Sequence, residues 1–138
     1  MHKIEYQPHP QPTDIQALTT GIAEYAQQQR GMQPTEPFGF FVKEAGVVLA
    51  GCNGFIYYGC MYIDQLWVAA ELRGQGYGRQ LMLKAEELAR EKKCAMITLT
   101  TMDWEALGFY QKLGYVIEYK REGYVHNSLL YALRKNLN

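Results

Sequence analysis

Hydrophobic and polar positions along this chain change their period several times, and each change predicts an element. Lys3-Ile4-Glu5-Tyr6 alternates and predicts a short first strand, after which Pro8, Pro10 and Pro12 interrupt regular pairing. Ile15, Leu18, Ile22 and Tyr25 recur at spacings of three and four, the mark of a helix, with Asp14 placed to cap it. Gly31, Pro34 and Pro37 end that region. Three strands are predicted next, over residues 38–43, 47–57 and 59–68, with turns at Gly46 and Gly59. Gly51 and Gly54 make the middle strand weak or bulged.

The period then returns to that of a helix from Gly76 to Lys92, with Leu81, Ala85, Leu88 and Ala89 on one face. Glu86 and Arg90 form an i,i+4 pair on another. Residues 95–100 read as a buried strand. Asp103 is placed to cap a short helix whose face is Ala106, Phe109, Tyr110 and Leu113, and Gly114 is its stop. A hairpin closes the chain: residues 115–119, a turn near Arg121-Glu122-Gly123, then residues 128–133. There is no repeat, low-complexity tract or linker, so the pattern predicts one domain over all 138 residues, built on a single mixed α/β sheet.

Composition narrows the function classes. Fourteen basic and fourteen acidic residues cancel, which argues against a dedicated nucleic-acid binder. Cys52, Cys60 and Cys94 are too few and too scattered for a zinc site or a disulfide framework, so no metal is expected. With no signal-peptide pattern and no apolar run of spanning length, the chain reads as cytoplasmic and off the membrane.

The candidate chemistry begins at Arg73-Gly74-Gln75-Gly76-Tyr77-Gly78, between a predicted strand and a predicted helix. Strand, glycine-rich turn and helix start present free backbone N–H groups at the positive end of a helix, a setting suited to a phosphate. A P-loop needs Lys-Ser/Thr after its last glycine, but Arg79 and Gln80 follow here. A dinucleotide fold needs a third glycine where Leu81 stands.

Leu66-Trp67-Val68, the glycine-rich stretch and the Leu81-Met82-Leu83 helix together resemble the acyl-CoA-binding core of the GNAT superfamily of N-acyltransferases. That family's motif is Arg/Gln-x-x-Gly-x-Gly/Ala, matched by Arg73, Gly76 and Gly78. A second family signature, Phe-Tyr-x-Lys-x-Gly-Phe/Tyr, is met by Phe109, Tyr110, Lys112, Gly114 and Tyr115. The two motifs cover residues 59–119. Ala70 stands where the family often has Pro, and Asp103 where it often has an Asn that touches the CoA arm.

The resemblance implies a GNAT-like α/β (α+β) fold of six or seven mostly antiparallel strands, with helices on both faces. It implies acetyl-CoA as co-substrate. Backbone N–H groups of Arg73, Gly74, Gln75, Gly76, Tyr77, Gly78 and Arg79 would hold the pyrophosphate, with Arg73 or Arg79 adding charge. The pantetheine arm would pair with main chain around Leu66, Trp67 and Val68, and the Val68 N–H would stabilise the oxyanion. Tyr110 would protonate the leaving thiolate beside Phe109. Asp64, of the same strand parity as Val68, is the candidate base for the amine. His126 reads as a polar surface residue.

Two functions stay open on the residues alone. One is N-acetyl transfer to a primary amine on a small molecule, amino acid or peptide, by direct attack in a ternary complex. The other is a non-catalytic acyl-CoA-binding or sensing module of the same fold. Homodimers are common in families resembling this one.

Overall fold

The computed structural model of the chain describes residues 1–137. Backbone contacts divide it into two compact units, Met1–Pro34 and Thr35–Asn138. The first is built on helix α1 (Pro12–Arg30). Its start differs from expectation. Pro12 occupies the first turn, where its missing N–H costs nothing, and Gln11 is the N-cap. Asp14 lies inside that turn, favourably placed against the helix dipole but not capping. Gly31 closes the helix in the left-handed region at φ 63°. Residues 3–6 form no strand, because this unit offers no second strand to pair with.

The second unit is a six-stranded sheet ordered β1-β2-β3-β4-β6-β5. Its strands are β1 (Glu36–Glu44), β2 (Val47–Tyr57), β3 (Cys60–Val68), β4 (Met96–Met102), β5 (Val116–Tyr124) and β6 (Ser128–Asn136). Every neighbouring pair is antiparallel except β3 with β4. A parallel pair needs a crossover, and α2 (Tyr77–Glu91) supplies it. Helix α3 (Leu107–Lys112) links β4 to β5.

One core gathers Ala50, Cys52, Met61 and Ile63 from the sheet's first half with Ile97, Leu99 and Leu133 from its second. Leu81, Met82, Ala85 and Ala89 close it from α2, and Tyr110 and Tyr115 from the α3 region. The expected i,i+4 pair of Glu86 with Arg90 is present at 3.8 Å, but Glu86 itself is buried on the core side of the helix. A nearer cation comes from far along the chain: Lys135, whose Nζ is 2.9 Å from Glu86 Oε1.

The irregularity expected in β2 appears opposite its glycines, as a bulge in β3. Pairing with β3 slips between Asn53 and Gly54, so that Asp64 has no cross-strand partner. Glycine is required there: a Cβ on Gly54 would fall 1.9 Å from the Tyr62 carbonyl oxygen. The terminal hairpin is longer than its sequence suggested. Residues 121–123 stay in β5, and the turn falls at Val125–Asn127, where His126 and Asn127 take φ of 58° and 57°.

Candidate active site

β3 and β4 run together only briefly. Their register covers Cys60, Met61 and Tyr62 against Met96, Ile97 and Thr98, then stops. Beyond it β3 continues to Val68 along β2, while β4 continues to Met102 along β6. This leaves a gap in the sheet's pairing between residues 63–68 and 99–102.

The ladder on the far side of β3 fixes what faces this gap. Ala50 pairs with Val68, and the Ala69 N–H donates to the Leu49 carbonyl at 2.8 Å. That bond makes Ala50 and Val68 a non-hydrogen-bonded pair, so the N–H and C=O of Val68 point away from β2. By the same alternation those of Leu66 do too, while Trp67 pairs with Gly51. The main chain of Leu66 and Val68 therefore addresses the gap. The Trp67 side chain is exposed on the opposite sheet face, beside a cleft of about 270 Å³ shared with Phe41, Asn53 and Gln65.

The glycine-rich stretch leads from this strand into α2. Gly74 and Gly76 have φ of 74° and 87°, which a side chain would strain. Gly76 is the N-cap, and no side chain caps the helix. The first intrahelical bond is Gln80 N–H to the Gly76 carbonyl. The N–H groups of Tyr77, Gly78 and Arg79 thus stand before the first closed turn, with no acidic residue in it. An uncapped, acid-free helix start of this kind fits a phosphate.

The loop's polar side chains turn back onto the protein. Arg73 Nε donates to the Val68 carbonyl at 2.9 Å, and Gln75 Nε2 to the Glu71 carbonyl at 3.1 Å. Arg79 is exposed and makes no ion pair among the described residues. Gly78 is the meeting point of three elements. A Cβ there would stand 3.4 Å from Phe109 and 3.9 Å from the Val68 side chain.

Tyr110 follows Phe109, their rings edge to face at 5.1 Å. It is 7% exposed, and burial pushes its phenol up to about 12, with Cys52 and Glu105 adding to the shift. Cys52 is the cross-strand neighbour of Leu66. At neutral pH the Tyr110 phenol keeps its proton.

Asp64 is exposed in the bulge, just past the last β3–β4 pair. The two-residue parity that joined it to Val68 does not survive the extra residue: Ile63, Leu66 and Val68 share the core-facing side. Asp103 does not cap α3, whose N-cap is Ala106. It binds Leu129 instead, with N–H to the Leu129 carbonyl at 2.9 Å and Oδ1 accepting from the Leu129 N–H at 3.1 Å. Its Oδ1 thus helps join the end of β4 to β6. Sequence reasoning missed the Arg73–Val68 bond and the Glu86–Lys135 pair, since no periodicity carries either.

A sequence profile of the acetyltransferase (GNAT) family matches residues 2–115. Blasticidin-S acetyltransferase of Streptomyces morookaense is 40% identical over 73 residues, 52% of this chain and 54% of that protein. The chain thus spans about half the length of that relative. Among solved structures, an acetyltransferase from Agrobacterium tumefaciens superposes with a TM-score of 0.84 at 21% identity, over 98% of this chain and 99% of that one. A streptothricin acetyltransferase from Bacillus anthracis, solved with acetyl coenzyme A, superposes with a TM-score of 0.65 at 18% identity, over 73% and 62%. Both likenesses concern the fold. By its profile match, this chain belongs to the acetyltransferase (GNAT) family.

Proposed function

We propose that this chain is an acetyl-CoA-dependent N-acetyltransferase that passes the acetyl group directly to a primary amine. The observation that carries the reading is a juxtaposition. An uncapped helix start lies one short turn from a strand whose Val68 main chain faces a gap in the sheet. The pyrophosphate of CoA would take the N–H groups of Tyr77, Gly78 and Arg79. The pantetheine arm would complete the sheet along Leu66 and Val68, in place of the strand that diverges.

As the amine attacks the thioester carbon, negative charge builds on the carbonyl oxygen, and the Val68 N–H would receive it. The C–S bond then breaks, and Tyr110 would give its proton to the departing sulfur. Asp64, at the mouth of the gap, would take a proton from the incoming ammonium through water. Asp103 plays no part in this scheme, because its carboxylate is engaged with Leu129. Acceptors of small-molecule, amino-acid or peptide type fit the chemistry, and the blasticidin-S relative favours a small molecule.

Acetyl-CoA should raise the melting temperature, and thiol release should accompany acetylation of a member of an amine panel. Absence of any shift at millimolar acetyl-CoA would sink the reading. Binding without turnover on any acceptor would favour the acyl-CoA-sensing alternative.

A further inference from the structure

We infer that Arg73 is a positioning residue for acetyl transfer, acting through the Val68–Ala69 peptide and not through the phosphates. The inference rests on the proposed transfer at the gap. Where β4 diverges, the Val68 carbonyl loses the strand that would have bonded it, and Arg73 Nε takes it at 2.9 Å. The N–H of the same peptide, on Ala69, is held from the other side by the Leu49 carbonyl at 2.8 Å. This peptide is clamped at both ends. Its clamping fixes the end of β3 and with it the direction of the Val68 N–H.

The atom involved sets which substitutions should keep the bond. Arg Nε and Gln Nε2 lie the same number of bonds from Cα, so Gln at position 73 would keep this donor while losing the charge. Lys carries its nitrogen one bond further out. A phosphate-binding role would instead favour Arg and Lys over Gln.

The test compares Arg73→Gln, Arg73→Lys and Arg73→Met in the full chain. Arg73→Met should lower kcat by about tenfold, the scale of one charge-assisted bond to main chain. Its acetyl-CoA dissociation constant should stay within about twofold, at the level of a side chain that does not touch the ligand. Arg73→Gln should recover most of kcat, and Arg73→Lys less. In the ligand-free protein, hydrogen exchange at the Ala69 amide should quicken in Arg73→Met and revert in Arg73→Gln. Unchanged Ala69 exchange in Arg73→Met would overturn the clamp. So would an acetyl-CoA affinity weakened by Gln and Met alike and kept by Lys. Wild-type protein without acetyl transfer would sink the enzyme reading, while the exchange result would still judge the clamp.

Discussion

Lys135 and Glu86, 49 residues apart, meet at 2.9 Å inside the fold and tie the helix that begins at the glycine loop to strand β6. Glu86 is 2% exposed, and its second oxygen accepts from the Tyr115 hydroxyl at 3.4 Å. Lys135 also donates to the Leu113 carbonyl at 2.7 Å. Removing the cation leaves a buried carboxylate with the Tyr115 hydroxyl and one remaining cation, the half-exposed Arg90 at 3.8 Å. Lys135→Met should therefore cost about 3 kcal/mol, or roughly 10 °C in Tm for a chain of this size. The double variant Glu86→Gln/Lys135→Met should recover part of that loss in thermal melts, and strict additivity would show the pair to be uncoupled.

Tyr110→Phe should lower kcat about a hundredfold, the scale of a positioned general acid, while leaving acetyl-CoA affinity nearly unchanged. Burial is the first cause holding its phenol at about 12, so the donor stays protonated across the working range. The pH profile of the wild type should rise as the acceptor amine loses its proton. It should show no descending limb from Tyr110 below pH 10. An unchanged kcat in the variant would assign protonation of the thiolate to water or another group.

The same burial makes the fold sensitive to alkali. Desolvation raises the Cys52 thiol from 9.0 to about 12 and Tyr110 from 10.0 to about 12, and it raises Tyr115 as well. In the unfolded chain these groups release protons earlier, so the folded state binds more protons above pH 9. Their stabilising contribution is complete below pH 9 and is lost as pH climbs toward 12. Tm should fall steeply between pH 9 and 11, and Cys52→Ala should start lower but fall less steeply. Parallel slopes for the two proteins would mean that Cys52 does not contribute.

How much of this was legible beforehand depended on whether a signal was local. The glycine loop and the Phe109-Tyr110 helix announced themselves because turn chemistry and helical period are short-range. Strand β2 was read with its observed limits, but the extra residue at the register slip beside Gly54 is Asp64 in β3 and not a residue of β2. The parity of Asp64 failed for that reason, since one inserted residue reverses every face beyond it. The cap assigned to Asp103 failed because its partner, Leu129, lies across the sheet. The local pair of Glu86 with Arg90 was legible from spacing, but its nearer cation, Lys135, comes from β6. Where a side chain's partner is distant in sequence, periodicity places the residue on a face without saying what waits there.

Arg79 is the cation left for the donor's phosphates once Arg73 and Gln75 are bonded to main chain. It sits in the uncapped first turn of α2, exposed and without an ion pair among the described residues. An exposed charge of this kind is worth up to about 1 kcal/mol, screened by salt. Arg79→Gln should then weaken acetyl-CoA binding about fivefold at low ionic strength, with kcat at saturation preserved. The difference from wild type should shrink as salt rises, because only the screened charge has been removed. Arg73→Gln should show neither effect. Titration of both variants at two ionic strengths separates the roles. If Arg79→Gln binds like wild type at low salt, the phosphates are held by the helix N–H groups alone.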